Sequence, residues 1–154
     1  MPKIDPATAP ETIGSRYPAP FDEPCKRRST LRLGVAAGLT QFGVNLQRLP
    51  SGAWSSQRHW HALEDEFVHV LEGEVVLVTD AGEETLRSGE CAAFKGGVRD
   101  GHHLQNRSSS DAFFLVVGSR DSKDHGEYSD IDLAFTGDRY ANKGRYLHRD
   151  GTPY

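Results

Sequence analysis

The 154-residue chain holds two cysteines and one methionine. Cys25 and Cys91 cannot build a disulfide framework or a four-cysteine zinc site. Cys91, within Cys91-Ala92-Ala93-Phe94, reads as a small core residue. Long apolar runs are missing as well. A stretch such as Phe113-Phe114-Leu115-Val116-Val117 falls far short of the about 20 residues that span a membrane. Residues 1–10 are polar and proline-containing, without the apolar core of a secretory signal, so a cytoplasmic address and no membrane partner are expected. Excess positive charge is missing too: the net charge is −4, which argues against a nucleic-acid partner. No segment sustains a 3.6-residue period, so helix is minor. No nucleophile elbow, P-loop or dinucleotide spacing is present, which argues against a serine hydrolase or a nucleotide-binding enzyme.

Proline is missing where it would break a sheet. Six of the eight prolines precede residue 25, and none lies between Pro50 and Pro153. Proline has no N–H for a ladder, so the first segment reads as an extended arm and the middle as the place for strands. Phe42, Val44 and Leu46 alternate with Gly43, Asn45 and Gln47. Further strands are read over Trp54 to His61, Glu66 to Leu71, Val75 to Val78, Thr85–Leu86, Cys91 to Phe94, His102 to Asn106 and Ala112 to Val117, separated by turn signals. About eight short strands at this spacing form a sandwich or barrel. After Ser119 the chain is polar again. One docked strand is expected around Ile131 to Phe135, and Tyr140, Tyr146 and Tyr154 predict that the tail packs.

The chain has seven histidines, and their placement matters. His59 and His61 are two apart on an alternating segment and share one face. Glu66 opens the next strand and His102 a later one. Three imidazoles and one carboxylate from adjacent strands can converge inside a barrel. That donor set suits Fe(II), Mn, Ni, Co or Zn, and leaves open positions on a six-coordinate ion for a ligand.

With these residues in place the sequence resembles a small single-domain cupin. The first cupin motif is matched by Gly52, then His59-Trp60-His61, then Glu66, then six residues to Gly73. The spacer after Gly52 is one residue longer than usual. The second is matched by Gly89, five residues, Lys95-Gly96-Gly97, then His102 and Asn106; Lys95 stands where the motif has proline, and the stretch before His102 is two residues longer. The resemblance covers residues 38–120. It implies an all-β double-stranded β-helix, a jelly-roll barrel, over 31–120, with an arm at 1–30 and a tail at 121–154 that packs on the barrel or on a partner subunit. It implies His59, His61, Glu66 and His102 as metal ligands, and a homodimer.

Other residues were weighed for catalysis. Gln57 and Ser55 share the His59 face by alternation, so Gln57 could orient a substrate hydroxyl or a bound water. Lys95 and Arg99, on the loop before His102, could bind an anionic substrate. Glu64 and Asp65 read as turn residues, His103 as an outward-facing structural residue, and Asn106 as a structural turn residue. No inward carboxylate other than Glu66 is evident, which favours metal-activated oxygen chemistry, a metal-bound hydroxide, or a base from the tail. The expected function is a metal-dependent enzyme acting on a small polar organic acid or sugar derivative, by oxygenase, isomerase or lyase chemistry. The alternative is a non-catalytic module that binds or senses a small molecule. Because imidazoles bind metal only when neutral, metal is expected to leave below about pH 6.

Overall fold

The computed structural model describes residues 3–154. Among these residues the strands are β1 (Glu11–Ile13), β2 (Ser29–Leu31), β3 (Phe42–Leu49), β4 (Glu66–Glu72), β5 (Glu74–Thr79), β6 (Gly82–Arg87), β7 (Cys91–Phe94), β8 (His103–Gln105), β9 (Ala112–Ser119), β10 (Gly126–Glu127), β11 (Ala134–Thr136) and β12 (Arg145–Leu147). Helix is limited to one α turn, Leu33–Ala36, and two 3-10 turns, Pro6–Thr8 and Glu23–Cys25. No helix is long and apolar enough to cross a membrane.

All strand pairs are antiparallel. A six-stranded sheet runs β1-β2-β3-β9-β4-β7 and faces a three-stranded sheet, β6-β5-β8. Their inner faces enclose Leu49, Val68, Val70, Val75, Leu77, Leu86, Leu104, Ala112 and Phe114. Together they form the expected jelly roll. The tight β4–β5 connection depends on Gly73. Its φ is +76°, and a Cβ there would lie 2.8 Å from the Asp111 carbonyl oxygen.

Two local readings need correction. Trp54 to His61 is not a strand. It pairs with neighbouring segments as isolated bridges rather than as a ladder, Trp54 to Gln105 and His59 to both His102 and Tyr128. Between the bridges the side chains of Gln57 and Arg58 bond elsewhere, to the Phe21 carbonyl and to Asp130 respectively, which bends the chain out of ladder geometry. Cys91 is exposed on the outer face of β7, and Cys25 is the buried cysteine. The apolar row of β3 faces outward, while Gly43, Asn45 and Gln47 line the interior cavity.

The proline-bearing arm contributes β1 at the sheet edge, and after the last arm proline β2 continues inward to β3. The tail forms its own three-stranded sheet, β10-β11-β12, with β11 at Ala134–Thr136, later than the sequence suggests. Arm and tail meet in a second apolar cluster. Tyr128, Leu133 and Phe135 from the tail are packed by Tyr17 and Phe21 from the arm and by Tyr146. Tyr17 stands edge-on to Tyr128 at 5.3 Å. Gly126 lets the tail close on the barrel: a Cβ there would overlap the Trp60 carbonyl oxygen and sit 2.7 Å from the Phe135 ring.

Candidate metal centre

The segment carrying His59 and His61 is held from both sides. His59 N–H donates to His102 O, and His102 N–H returns a bond to His59 O at 2.9 Å. On the other side Ala62 N–H donates to His125 O at 2.8 Å. Two imidazoles therefore keep the common face that alternation assigned them, although the segment is not a strand. Glu66 starts β4, with Phe94 and Gly118 as its cross-strand neighbours. His102 lies just before β8, its ring stacked on Phe94 at 3.6 Å.

His59, His61 and Glu66 form one compact group of candidate donors, and His102 joins it through Glu66. His59 Nε2 is 3.1 Å from His61 Nε2. Glu66 places Oε2 3.9 Å from His61 Nε2 and Oε1 3.8 Å from His102 Nε2. Adjacent ligands held at about 2.1 Å from one ion lie about 3 Å apart, and opposite ligands about 4 Å, so these separations suit one cation.

The hydrogen bonds strengthen this. His59 Nδ1 faces the Gln57 carbonyl oxygen at 2.9 Å, and His61 Nδ1 faces Asp124 Oδ2 at 2.7 Å. Both acceptors require the proton on Nδ1, which leaves two Nε2 lone pairs opposed at 3.1 Å. A cation between them relieves that repulsion. Neither ring nitrogen of His102 has a hydrogen-bond partner, though both are buried. Burial, then the neighbouring His61 and His102 charges, lower the His59 pKa well below its ordinary value. Burial alone would raise the Glu66 carboxyl, but the imidazoles of His102, His59 and His61 outweigh it and hold it at about 2. At neutral pH these two donors carry the protonation that binding a metal requires.

The other candidates lie elsewhere. Gln57 turns its amide to the Phe21 carbonyl at 2.7 Å and tethers the arm; only its backbone oxygen serves the site, through His59. Lys95 is exposed on the barrel exterior, and Arg99 lies over the Trp60 ring at 4.9 Å. Neither lines the cavity in front of the imidazoles. His103 is buried, not outward-facing, with Nδ1 bonded to Ser56 O at 2.9 Å and Trp54 packed edge-on. Asn106 donates to Leu49 O and Ser110 O and accepts from Ser108, which fixes the turn before β9.

Sequence reasoning missed a charged cluster behind His61. Glu64 is buried, accepts the Tyr140 hydroxyl and the Asp121 N–H, and pairs with Arg139. Arg139 also reaches Asp124 Oδ2 at 2.9 Å. His61, Glu64 and Asp124 form a second compact group of metal-competent donors. Asp124, Arg139 and Tyr140 belong to the polar tail, where no periodicity marks them. Glu64 was passed over because Glu66 fits the motif spacing better. The cavity that opens in front of the imidazoles measures about 620 Å³ and also borders Glu64, Arg139 and Tyr140.

Comparison with known proteins agrees with this architecture. A sequence model of the cupin domain matches residues 45–118. The crystal structure of a sugar phosphate isomerase of the cupin superfamily from Silicibacter pomeroyi is 46% identical. The match covers 99% of this chain and 96% of that one, with a TM-score of 0.94. A protein from Acidithiobacillus ferrooxidans, provisionally named a sugar phosphate isomerase, is 23% identical over 83% of this chain and 80% of that one, at TM-score 0.74. A polyketide cyclase from Streptomyces resistomycificus is 22% identical over 79% and 80%, at TM-score 0.62. These last two share the fold. No curated protein sequence matches. The barrel topology, the cupin-domain match and the 46% identity over nearly the whole length together place this chain in the cupin superfamily.

Proposed function

We propose that the protein is a divalent-metal enzyme that isomerises a sugar phosphate, with His59, His61, Glu66 and His102 as the ligands. The observation that carries this reading is the pair of opposed Nε2 lone pairs on His59 and His61, fronted by Glu66 and the unbonded His102 and open to a cavity of about 620 Å³. The name of the Silicibacter pomeroyi protein supports the substrate class. Bound there, the ion would polarise a substrate carbonyl and stabilise the negative charge that develops on its oxygen.

The chain supplies the remaining parts. Asp124 holds the His61 ring in the tautomer that presents Nε2. Glu64 is the inward carboxylate that isomerisation needs, and it lines the same cavity. It is placed to take the proton from the carbon next to the carbonyl and to return it to the neighbouring carbon. Arg139 and the Tyr140 hydroxyl fix its orientation. Each oxygen of an ionised carboxylate keeps two acceptor sites, so these bonds leave capacity for a substrate proton.

The test is elemental analysis of the purified protein followed by an assay of aldose–ketose interconversion on phosphorylated sugars. We expect metal near one equivalent per chain in the protein and none in His59→Ala. Glu64→Gln should keep the metal and lose about 10²- to 10⁴-fold in kcat. A metal-loaded protein that binds sugar phosphates without converting them would support the sensing alternative instead.

A further inference from the structure

The cavity has a second polar end away from the imidazoles. Along the interior of the six-stranded sheet, one cross-strand row reads Gly43, Gly118, Glu66. Neighbouring strands are about 4.8 Å apart, so Gly43 lies about 10 Å from Glu66, with no side chain between them on this row. Arg120 follows β9 and returns to the same face by alternation. Its Nε and Nη2 lie 3.8 Å from where a Gly43 Cβ would be, and the Asn45 amide nitrogen lies at the same distance. Arg120 Nη1 is anchored on the Leu39 carbonyl at 2.7 Å, and the guanidinium sits over the Tyr140 ring at 5.2 Å.

Arg120 Nε is buried and has no hydrogen-bond partner, and neither does the buried Oε1 of Gln47 on the same wall. Arg32 and Arg16 border the cavity too. Among the described residues none of these three arginines pairs with a carboxylate. The carboxylates on the wall are otherwise engaged: Glu64 with Arg139, Asp65 with Gly96 N–H, and Glu66 with the imidazoles. An arginine held by one nitrogen, with another buried and unbonded, is suited to an oxyanion.

We propose that Arg120, with Asn45 beside it and Arg32 on the same cavity wall, is the phosphate subsite of this cavity. The subsite takes the phosphate at one end of a chain of a few carbons whose oxygens at the other end meet the histidine–glutamate centre. Gly43 and Gly118 leave the floor between the two ends clear. This rests on the reading above that the substrate is a sugar phosphate, and it relocates anion recognition from Lys95 and Arg99 to β3, the turn before it and the end of β9.

The experiment is calorimetric titration of the metal-loaded protein with ribose 5-phosphate and with ribose. We expect the phosphorylated sugar to bind at least about tenfold tighter. Arg120→Met and Gly43→Leu should each abolish that difference, the first by removing the donor and the second by filling the space beneath it. Arg99→Met should preserve it. Thermal melting of each variant confirms folding, and Arg32→Met, which breaks no observed side-chain bond, should weaken the preference as well. Equal affinity for the two sugars, or a preference unchanged in both Arg120→Met and Gly43→Leu, overturns the proposal. Titration of His59→Ala with inorganic phosphate separates it from the metal reading. Binding that persists there and fails in Arg120→Met supports the subsite whatever the metal does, and binding insensitive to Arg120 counts against it.

Discussion

Asp124 Oδ2 sits 2.7 Å from His61 Nδ1, across 63 residues of sequence, and joins the tail to the segment that carries His59 and His61. The aspartate is fully buried, and the imidazole it orients points its other nitrogen into the cavity. Asp124→Ala should therefore weaken metal binding by about 10- to 100-fold while leaving all four ligands in place. Chelator competition on wild type and variant measures this. Equal affinities would show that the tail does not tune the centre.

The same aspartate predicts a pH response. Burial alone would raise its pKa, but the His61 bond, the Leu63 N–H and Arg139 outweigh that and hold it below the ordinary 3.8. A carboxyl depressed on folding stabilises the fold above its unfolded pKa, and that contribution is lost as pH falls through the folded value. In chelator-treated protein the melting temperature should hold to about pH 4 and fall below it. Asp124→Asn should start lower at pH 5 and lose less between pH 4 and 3. Parallel curves would contradict the assignment.

Metal retention at low pH is a third test. The sequence alone suggests loss below about pH 6. The lowered His59 pKa and the Glu66 carboxyl at about 2 move proton competition at these two donors to more acid pH. Dialysis at pH 5.5 followed by elemental analysis should find metal still bound. Complete loss at that pH would show that burial does not protect the donors.

Phe114 tests the barrel core. It is fully buried between the two sheets, among Leu49, Val70 and Ala112. Phe114→Ala should cost about 3–5 kcal/mol, read from denaturant unfolding. A loss under about 1 kcal/mol would mean that the core closes around the gap.

We propose that two copies of the chain pair through the outer face of the six-stranded sheet. There Val44, Val117, Phe67 and Ala93 form one row across four strands, and Phe42 and Phe67 are each 41% exposed. A monomer rarely leaves so continuous an apolar patch in water. Sedimentation should report a dimer for wild type and a monomer for Phe67→Glu, with metal content unchanged. A Phe67→Glu dimer would place the interface elsewhere.

The grouping of the candidate donors was legible because each residue obeyed a local rule. Alternation put His59 and His61 on one side, and motif spacing chose Glu66 and His102. The barrel was legible from proline placement and strand spacing. The carboxylate pair Glu64 and Asp124 was not, because its meaning depends on Arg139 and Tyr140, which reach Glu64 from 75 and 76 residues away. Nor was the role of Arg120. Its alternation continues β9 into a segment that reads as tail, while Lys95 and Arg99 sat nearer the motif and drew the assignment. Gln57 failed for a simpler reason: a period-2 argument holds only where the ladder continues, and the ladder is interrupted between the Trp54 and His59 bridges.

The clasp of Tyr17 on Tyr128 and Tyr146 sets an order of assembly. The arm leaves the ribosome first but meets its aromatic partners only when the far end of the chain has been made. A nascent chain stopped near residue 120 carries all four ligands and most of the barrel, yet lacks Asp124, Arg139 and Tyr140. The candidate site is therefore completed only once the tail has been made, and a chain stopped before it is a scaffold with an unfinished mouth.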